Sequence, residues 1–404
     1  MPKVEPEVQA FARIKVVGLG GSGKNAVNHM INSKIKGIEF IAMNTDAQDL
    51  HHSLAQKKIH IGKNLTKGLG AGGNPEIGRK AAEETKEEIQ GVLKGSDMVF
   101  IACGLGGGTG SLASSVIASV AKEQGALTIG VVTKPFSFEG SHRGRVAEQG
   151  LSELSKQVDA LIIIPNDRVM NMATKEMTFK SAFTMCDEVL RQAVESISDL
   201  ITTPGIINVD FADVRAILSD SGSALLGIGS ASGENRAQEA ATMAINSPLL
   251  ETSMSGAKGV LFAIAGGDDL LMHEINEVAK IITDSIDSEA KVIFGAIHDE
   301  KLKKNEIKVT VIASGFTDMP EKKSLFSGEA KREEKREIHN GLIERDPKDV
   351  KEPKKIDITT WTPDPAPTSK TTGSGDKEPV AIIDLENEID EDWSVVPAFL
   401  RRKK

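Results

Sequence analysis

The chain has 404 residues, a formal net charge of −9 and two cysteines, which leaves room for two domains with further segments attached. The acidic balance argues against nonspecific nucleic-acid binding, which favours basic surfaces. Cys103 and Cys186 both sit in apolar or helical context, which points to a reducing compartment without disulfides.

Residues 1–10 carry charges and prolines without an apolar core, so they read as a disordered segment and not as a signal peptide. No apolar stretch reaches the roughly 18 residues of a membrane span, and the expectation is a cytosolic protein with no direct span. From residue 11 onward, apolar strand candidates at 14–17, 38–43, 98–102, 127–132 and 161–164 alternate with helical stretches. This alternation predicts a parallel sheet covered by helices on both faces, with ligands outside the carboxyl ends of the strands.

The first strand runs into Gly18-Leu19-Gly20-Gly21-Ser22-Gly23-Lys24-Asn25. Gly18, Gly20 and Gly23 fit the dinucleotide fingerprint, and Gly18, Gly23 and Lys24 fit most of a P-loop, which wants Ser or Thr where Asn25 stands. The acid wanted at the end of the second strand is met only in part, by Asn44-Thr45-Asp46. A second loop, Gly68-Leu69-Gly70-Ala71-Gly72-Gly73-Asn74-Pro75, ends in a proline suited to start a helix.

The most informative stretch follows residues 98–102: Cys103-Gly104-Leu105-Gly106-Gly107-Gly108-Thr109-Gly110-Ser111. Three consecutive glycines remove every Cβ from one turn, so backbone N–H groups can approach an anion closely. Thr109 and Gly110 then open a helix whose N-terminus also favours phosphate. The plain alternative is a tight turn closing a βα unit, which seldom needs so many glycines. A fourth loop runs from Thr133 through Phe136 to Gly140, with Arg143 just beyond.

Phe179, Ala182, Phe183, Cys186, Val189, Leu190, Ala193, Val194, Ile197, Leu200 and Ile201 keep a period near 3.6 until Pro204-Gly205. This predicts a long helix, residues 179–203, acting as a strut between two domains. A second domain follows to about residue 316, with strands at 259–265, 291–297 and 306–313, a helix from 269 to about 285, and a mixed sheet. Residues 319–377 are charged and then rich in Pro, Ser, Thr and Gly, the composition of a disordered linker. Apolarity returns in Trp393-Ser394-Val395-Val396-Pro397-Ala398-Phe399-Leu400, before Arg401-Arg402-Lys403-Lys404. This end reads as a docking peptide on a tether.

Gly106 to Gly110 resembles the glycine-rich signature of the tubulin and FtsZ superfamily. Asn208-Val209-Asp210-Phe211-Ala212-Asp213-Val214-Arg215 is similar to the FtsZ interdomain loop almost letter for letter. The resemblance runs from about Phe11 to Phe316 and resumes at Pro397-Ala398-Phe399-Leu400-Arg401. Bacterial FtsZ is the specific match, because tubulins lack this tail and this short length.

The resemblance implies an α/β fold: a Rossmann-like GTP-binding domain at 11–178, the central helix, and a GTPase-activating α+β domain at 204–318. The linker and a partner-binding tail, 378–404, follow. It implies a GTPase that polymerises head to tail into protofilaments and forms the division ring, in the cytoplasm at mid-cell on the inner face of the membrane. The tail, 393–404, would bind an FtsA-like membrane tether or other division proteins.

Carried over, the site is as follows. Gly20, Gly21, Ser22, Gly23, Lys24 and Asn25 would cradle the phosphates with Gly104, Gly106, Gly107, Gly108, Thr109 and Gly110. Asn44 and the Ala71-Gly72-Gly73 turn would close around them. Thr133 and Phe136 would line the ribose side, and Glu139 and Arg143 would contact ribose or phosphate. Asn166, Phe183 and Asp187 would hold guanine. Phe183 offers a stacking face, and a carboxylate at Asp187 can accept from both N1–H and the 2-amino group, a donor pair adenine lacks. On spacing alone, Phe183 reads as core and Asp187 as a solvated helix acid. Mg²⁺ would be held mainly by nucleotide phosphates and water.

Asp210, Asp213 and Asn208 are the candidates for orienting the attacking water, since phosphoryl transfer is mostly positioning and charge stabilisation. Asp210 also fits an N-cap with Asp213 in the first turn. About 20 helical residues at 1.5 Å each put this loop roughly 30 Å from the guanine end, so hydrolysis would need a second subunit stacked head to tail. Ser22, Lys24, Ser111 and Leu112 depart from the family's glycine pattern. Two other classes remain open at this point: a nicotinamide-dependent oxidoreductase, resting on the first glycine loop alone, and a nucleotide-binding adaptor that does not hydrolyse.

Overall fold

Short apolar runs bounded by glycine and polar turns form the strands, and the computed structural model describes residues 12–171, 177–203, 205–250, 253–299 and 302–316. The strands are β1 (Ile14–Leu19), β2 (Ile38–Asn44), β3 (Lys57–His60), β4 (Met98–Gly104) and β5 (Leu127–Lys134). They continue as β6 (Ala160–Pro165), β7 (Gly222–Ser232), β8 (Gly259–Gly266), β9 (Lys291–His298) and β10 (Glu306–Ser314). They form one sheet in the order β3-β2-β1-β4-β5-β6-β7-β10-β8-β9. Neighbours from β3 to β7 run parallel, as do β8 and β9, while β10 is antiparallel to both β7 and β8.

The sequence places a parallel sheet in one domain and a mixed sheet in the other. Hydrogen bonding joins the two, because β6 pairs with β7 over Ala160↔Gly222, Leu161↔Ser223 and Ile162↔Ala224. The ladder there is short. β7 and β3 are absent from the sequence-derived strands, and the helix near residue 269 starts later, as Met272–Thr283.

Two apolar layers flank the parallel half of the sheet. On one face Met30, Phe40, Phe100 and Ile129 pack with Leu190, Val194 and Ile197 of the central helix, Phe179–Thr202. On the other, Ile41, Ile101, Ile117 and Leu154 form the second core beneath helices Gly110–Glu123 and Ser141–Leu154. Thr178 caps the central helix by accepting from the Ser181 amide. Ser196 Oγ on that helix donates to Thr310 Oγ1 of β10 at 3.2 Å, so the strut touches both halves of the sheet.

A third core lies under the helices Arg236–Ile245 and Met272–Thr283. Arg236 fastens it. Its guanidinium donates to both oxygens of Glu274, at 2.6 and 2.9 Å, and to Asp269 Oδ2 at 2.7 Å. Arg236 and Glu274 are both buried, and the Arg236 bonds hold the Glu274 carboxyl below its ordinary range. Both cysteines are free and buried, and among the described residues no helix is long and apolar enough to cross a membrane. The expected N-terminal segment, the linker at 319–377 and the tail at 378–404 lie outside the described residues.

Candidate functional site

Parallel strands end in a row, and here the loops after β1, β2, β4, β5 and β6 enclose a cleft of about 600 Å³. Gly20, Gly21, Ser22 and Asn25 form one wall, at the start of the helix Gly20–Asn32. Gly104, Gly107, Gly108, Thr109 and Gly110 form the floor, Asn44, Ala71, Gly72 and Gly73 a second wall, and Thr133, Glu139 and Arg143 a third. Asn166 comes from the end of β6, and Phe183 and Asp187 from the central helix.

The glycine floor is built for close approach. A Cβ added at Gly107 would meet nothing within 4 Å, so it would stand in the cleft itself, whereas at Gly110 it would lie 2.7 Å from the Gly104 carbonyl oxygen. Ser111 explains one departure from the usual pattern. Its hydroxyl accepts from the Gly106 amide at 2.9 Å and donates to the Gly107 carbonyl at 2.7 Å, tying the loop to the helix. Leu112 is fully buried, which a helical position allows. Thr45 and Thr109 hydroxyls meet at 2.7 Å.

The opposite end of the cleft carries one unsatisfied polar atom and one carboxyl with a raised pKa. Asn166 is 5% exposed, and its Oδ1 is buried without a hydrogen-bond partner among the described residues. Burial, opposed by the nearby Lys24 ammonium, pushes the Asp187 carboxyl up to about 7. Groups like these suit a ligand that brings its own donors and a planar face. Phe183 lies edge-on to Phe136 and Phe179, with ring centroids 5.1 and 4.9 Å away, so it belongs to an aromatic cluster and to the cleft at once.

Four expected cleft residues lie elsewhere. Gly23 packs its helix onto β4, where a Cβ would meet the Ala102 carbonyl oxygen at 2.3 Å. Lys24 is turned inward onto Asp49 at 2.9 Å. Gly106 forms the turn behind the floor with a φ of 91°, and Phe136 is buried at 2% exposure beneath Phe138. They support the cleft without lining it. The sequence reading also passed over residues that do line it, among them Thr45 and Asp46, and over Asp49, which underlies it.

Residues 13–174 match the Tubulin/FtsZ family, GTPase domain, and residues 222–317 match the FtsZ family, C-terminal domain. The chain belongs to the FtsZ family. An FtsZ dimer structure from M. jannaschii is 46% identical, with a TM-score of 0.73 over 76% of this chain and 89% of that one. The GDP-bound CetZ1 monomer from Haloferax volcanii is 22% identical, with a TM-score of 0.66 over 76% of this chain and 96% of that one. The CetZ2 protofilament bound to GTPγS, also from H. volcanii, is 21% identical, with a TM-score of 0.63 over 74% and 92%. At those two identities the likeness concerns the fold alone. FtsZ membership makes the protein a GTPase that binds guanine nucleotide, and it sets aside the oxidoreductase and the non-hydrolysing adaptor.

Asn208, Asp210 and Asp213 are not in the cleft. They follow the far end of the central helix, whose 24 residues span about 36 Å at 1.5 Å each. Asn208 Oδ1 accepts from the Gly205 amide at 2.7 Å. Asp210 caps the helix Phe211–Leu218 by accepting from the Ala212 amide, and Asp213 lies exposed in its first turn.

Proposed function

We propose that this FtsZ-family GTPase polymerises head to tail into protofilaments, hydrolyses GTP at the contact between subunits, and builds the ring that divides the cell. The observation that carries this reading is the separation within one molecule: the cleft lies at one end of the central helix and the acid loop at the other. Only a second copy, stacked so that its loop faces the open cleft, could bring these acids to a γ-phosphate. Asp210 is committed to capping its helix, which leaves Asp213 as the better placed group to orient water, with Asn208 holding the turn.

Within the cleft, the backbone of Gly20–Gly21 and Gly107–Gly110 would take the phosphates, with Ser22, Asn25, Asn44 and Thr109 adding polar side chains. Ala71, Gly72 and Gly73 would close over them. Thr133, Glu139 and Arg143 would meet the ribose, and Asn166, Phe183 and Asp187 the guanine. Among the described residues no cluster of three acid, His or Cys side chains forms a metal site. The carboxylates of the lining, Asp46, Glu139 and Asp187, come from separate elements and form no cluster, so Mg²⁺ would take mainly phosphate and water oxygens and neutralise charge on the phosphates. The tail at 393–404 would dock an FtsA-like tether and bring the filament to the inner face of the membrane.

The test is a mixing experiment. Asp213→Ala should bind GTP yet turn over at least 100-fold more slowly, and Asp187→Asn should neither bind nor hydrolyse. Mixed, the two should recover part of the activity, because the intact cleft of one copy meets the intact loop of the other. Absence of recovery, with Asp213→Ala still pelleting in GTP, would sink hydrolysis in trans.

A further inference from the structure

Lys24, Asp49 and Asn44 form a buried hydrogen-bonded chain beneath the first glycine turn. Lys24 Nζ lies 2.9 Å from Asp49 Oδ1, with 1% and 3% of the two side chains exposed. Asn44, also buried, donates through Nδ2 to Asp49 Oδ2 at 2.9 Å and accepts the Asp46 amide on Oδ1 at 3.3 Å. The carboxylate lies close under Gly21, where a Cβ would come 3.6 Å from Oδ2. Gly21, Asn44 and Asp46 line the cleft, whereas Lys24 and Asp49 do not.

These bonds decide which way the Asn44 amide faces. A carboxylate accepts and does not donate, so Asp49 calls for the amide nitrogen. The Asp46 N–H calls for the oxygen, and the two demands agree. An amide nitrogen carries two hydrogens. Asp49 takes one, and the other is the donor that Asn44 can offer in the cleft it lines. Turned over, the same side chain would present a carbonyl oxygen, which repels phosphate.

Asp49 could not do this alone. A bare carboxylate under an anion site would oppose the anion, and it would be costly to bury. Lys24, itself outside the lining, cancels that charge. A P-loop lysine would reach the phosphates directly, but here the ammonium is committed to Asp49.

We propose that Lys24 and Asp49 are positioning residues for the phosphate end of the site and act through Asn44. Asp49 orients the amide with an N–H toward the bound phosphates, and Lys24 neutralises the carboxylate that does so. The proposal rests on the reading of the glycine loops as the phosphate cradle. Neither residue touches the nucleotide.

The experiment is calorimetric titration of the nucleotide-free full chain with GDP and with guanosine, which has no phosphate. GDP keeps assembly out of the measurement. Removing either charge singly strands the other, so the variant is the apolar pair Lys24→Met/Asp49→Leu, which leaves no buried ion. It should bind GDP about tenfold more weakly, the effect of losing a hydrogen bond to a charged group, and guanosine within twofold of wild type. Lys24→Met/Asp49→Asn restores an acceptor without the charges and should recover most of the GDP affinity. Asn44→Ala should weaken GDP binding about tenfold in wild type, yet less than twofold in the apolar-pair background.

Equal losses for GDP and guanosine, or no loss of either, would make the pair a packing feature and overturn the proposal. So would full additivity of Asn44→Ala with the apolar pair, or a Lys24→Met/Asp49→Asn variant no better than that pair. The underlying reading fails separately: if wild type binds guanosine as tightly as GDP, the glycine loops hold no phosphate.

Discussion

Thr45 and Thr109, 64 residues apart in the chain, meet hydroxyl to hydroxyl at 2.7 Å and so lock the loop after β2 to the glycine floor after β4. One wall of the cleft and its floor are registered by this one bond. Thr45 also accepts, through its carbonyl, from the Thr66 hydroxyl at 3.1 Å, which extends the lock to the segment before the Gly68–Gly73 loop.

Thr45→Val keeps the shape and removes the bond. It should cost about 1 kcal/mol of stability and weaken GDP binding several-fold, with the larger share in the dissociation rate. Urea unfolding of the nucleotide-free protein and stopped-flow release of GDP read the two effects separately. A variant with unchanged release would show that the loops are registered by other contacts.

Asp187 gives a pH dependence whose sign can be worked out. Its carboxyl is raised from 3.8 to about 7 in the folded chain, so the folded state holds a proton that the unfolded state releases. Its contribution to stability is therefore full below about pH 4 and is lost as the pH rises through 7. Asp187→Asn should lose guanine-nucleotide binding and yet melt a few degrees higher than wild type at pH 8 without nucleotide. The two proteins should differ little at pH 4.5. Differential scanning calorimetry at the two pH values decides it.

The glycine floor separates binding from folding. Gly107→Ala should leave the melting temperature within about 2 °C of wild type, since the space beside it is open, while GDP affinity falls at least tenfold. Gly110→Ala should destabilise the protein by about 1–3 kcal/mol through its clash with the Gly104 carbonyl. Equal melting temperatures for the two would contradict the geometry.

Arg236→Met should be among the most damaging single changes far from the cleft. It leaves the buried Glu274 without its partner, a loss of about 3–5 kcal/mol. Because Arg236 holds the Glu274 carboxyl low, the stability this pair provides is full above about pH 4.5 and disappears as the pH falls below it. Urea midpoints measured at pH 7.5 and pH 4 should therefore differ more for wild type than for Arg236→Met/Glu274→Leu.

The glycine loops were legible in the sequence because close backbone approach leaves so few residue choices. The central helix was legible because its apolar stripe keeps one period over its whole length. Asp49 was not, since an acid in a five-residue helix reads as solvated until the fold sets Lys24 against it. β7 escaped for a related reason. Its glycines look like turn residues, but the helix Arg236–Ile245 presses so closely on the strand that a Cβ at Gly227 or Gly229 would lie 2.1 Å from a helix carbonyl oxygen. β3 begins with Lys57 and Lys58, the polar pattern of a protected sheet edge. Phe183 stayed ambiguous because it serves the core and the cleft together.

The join between β6 and β7 has three register pairs, against nine between β7 and β10. Under tension along a filament, that seam should be the first backbone ladder to yield, before the longer ladders on either side. The half that holds the cleft could then tilt about it as a rigid plate. The central helix, bonded through Ser196 to β10 and presenting Asp187 to the cleft, would be the lever that reports the tilt to the nucleotide.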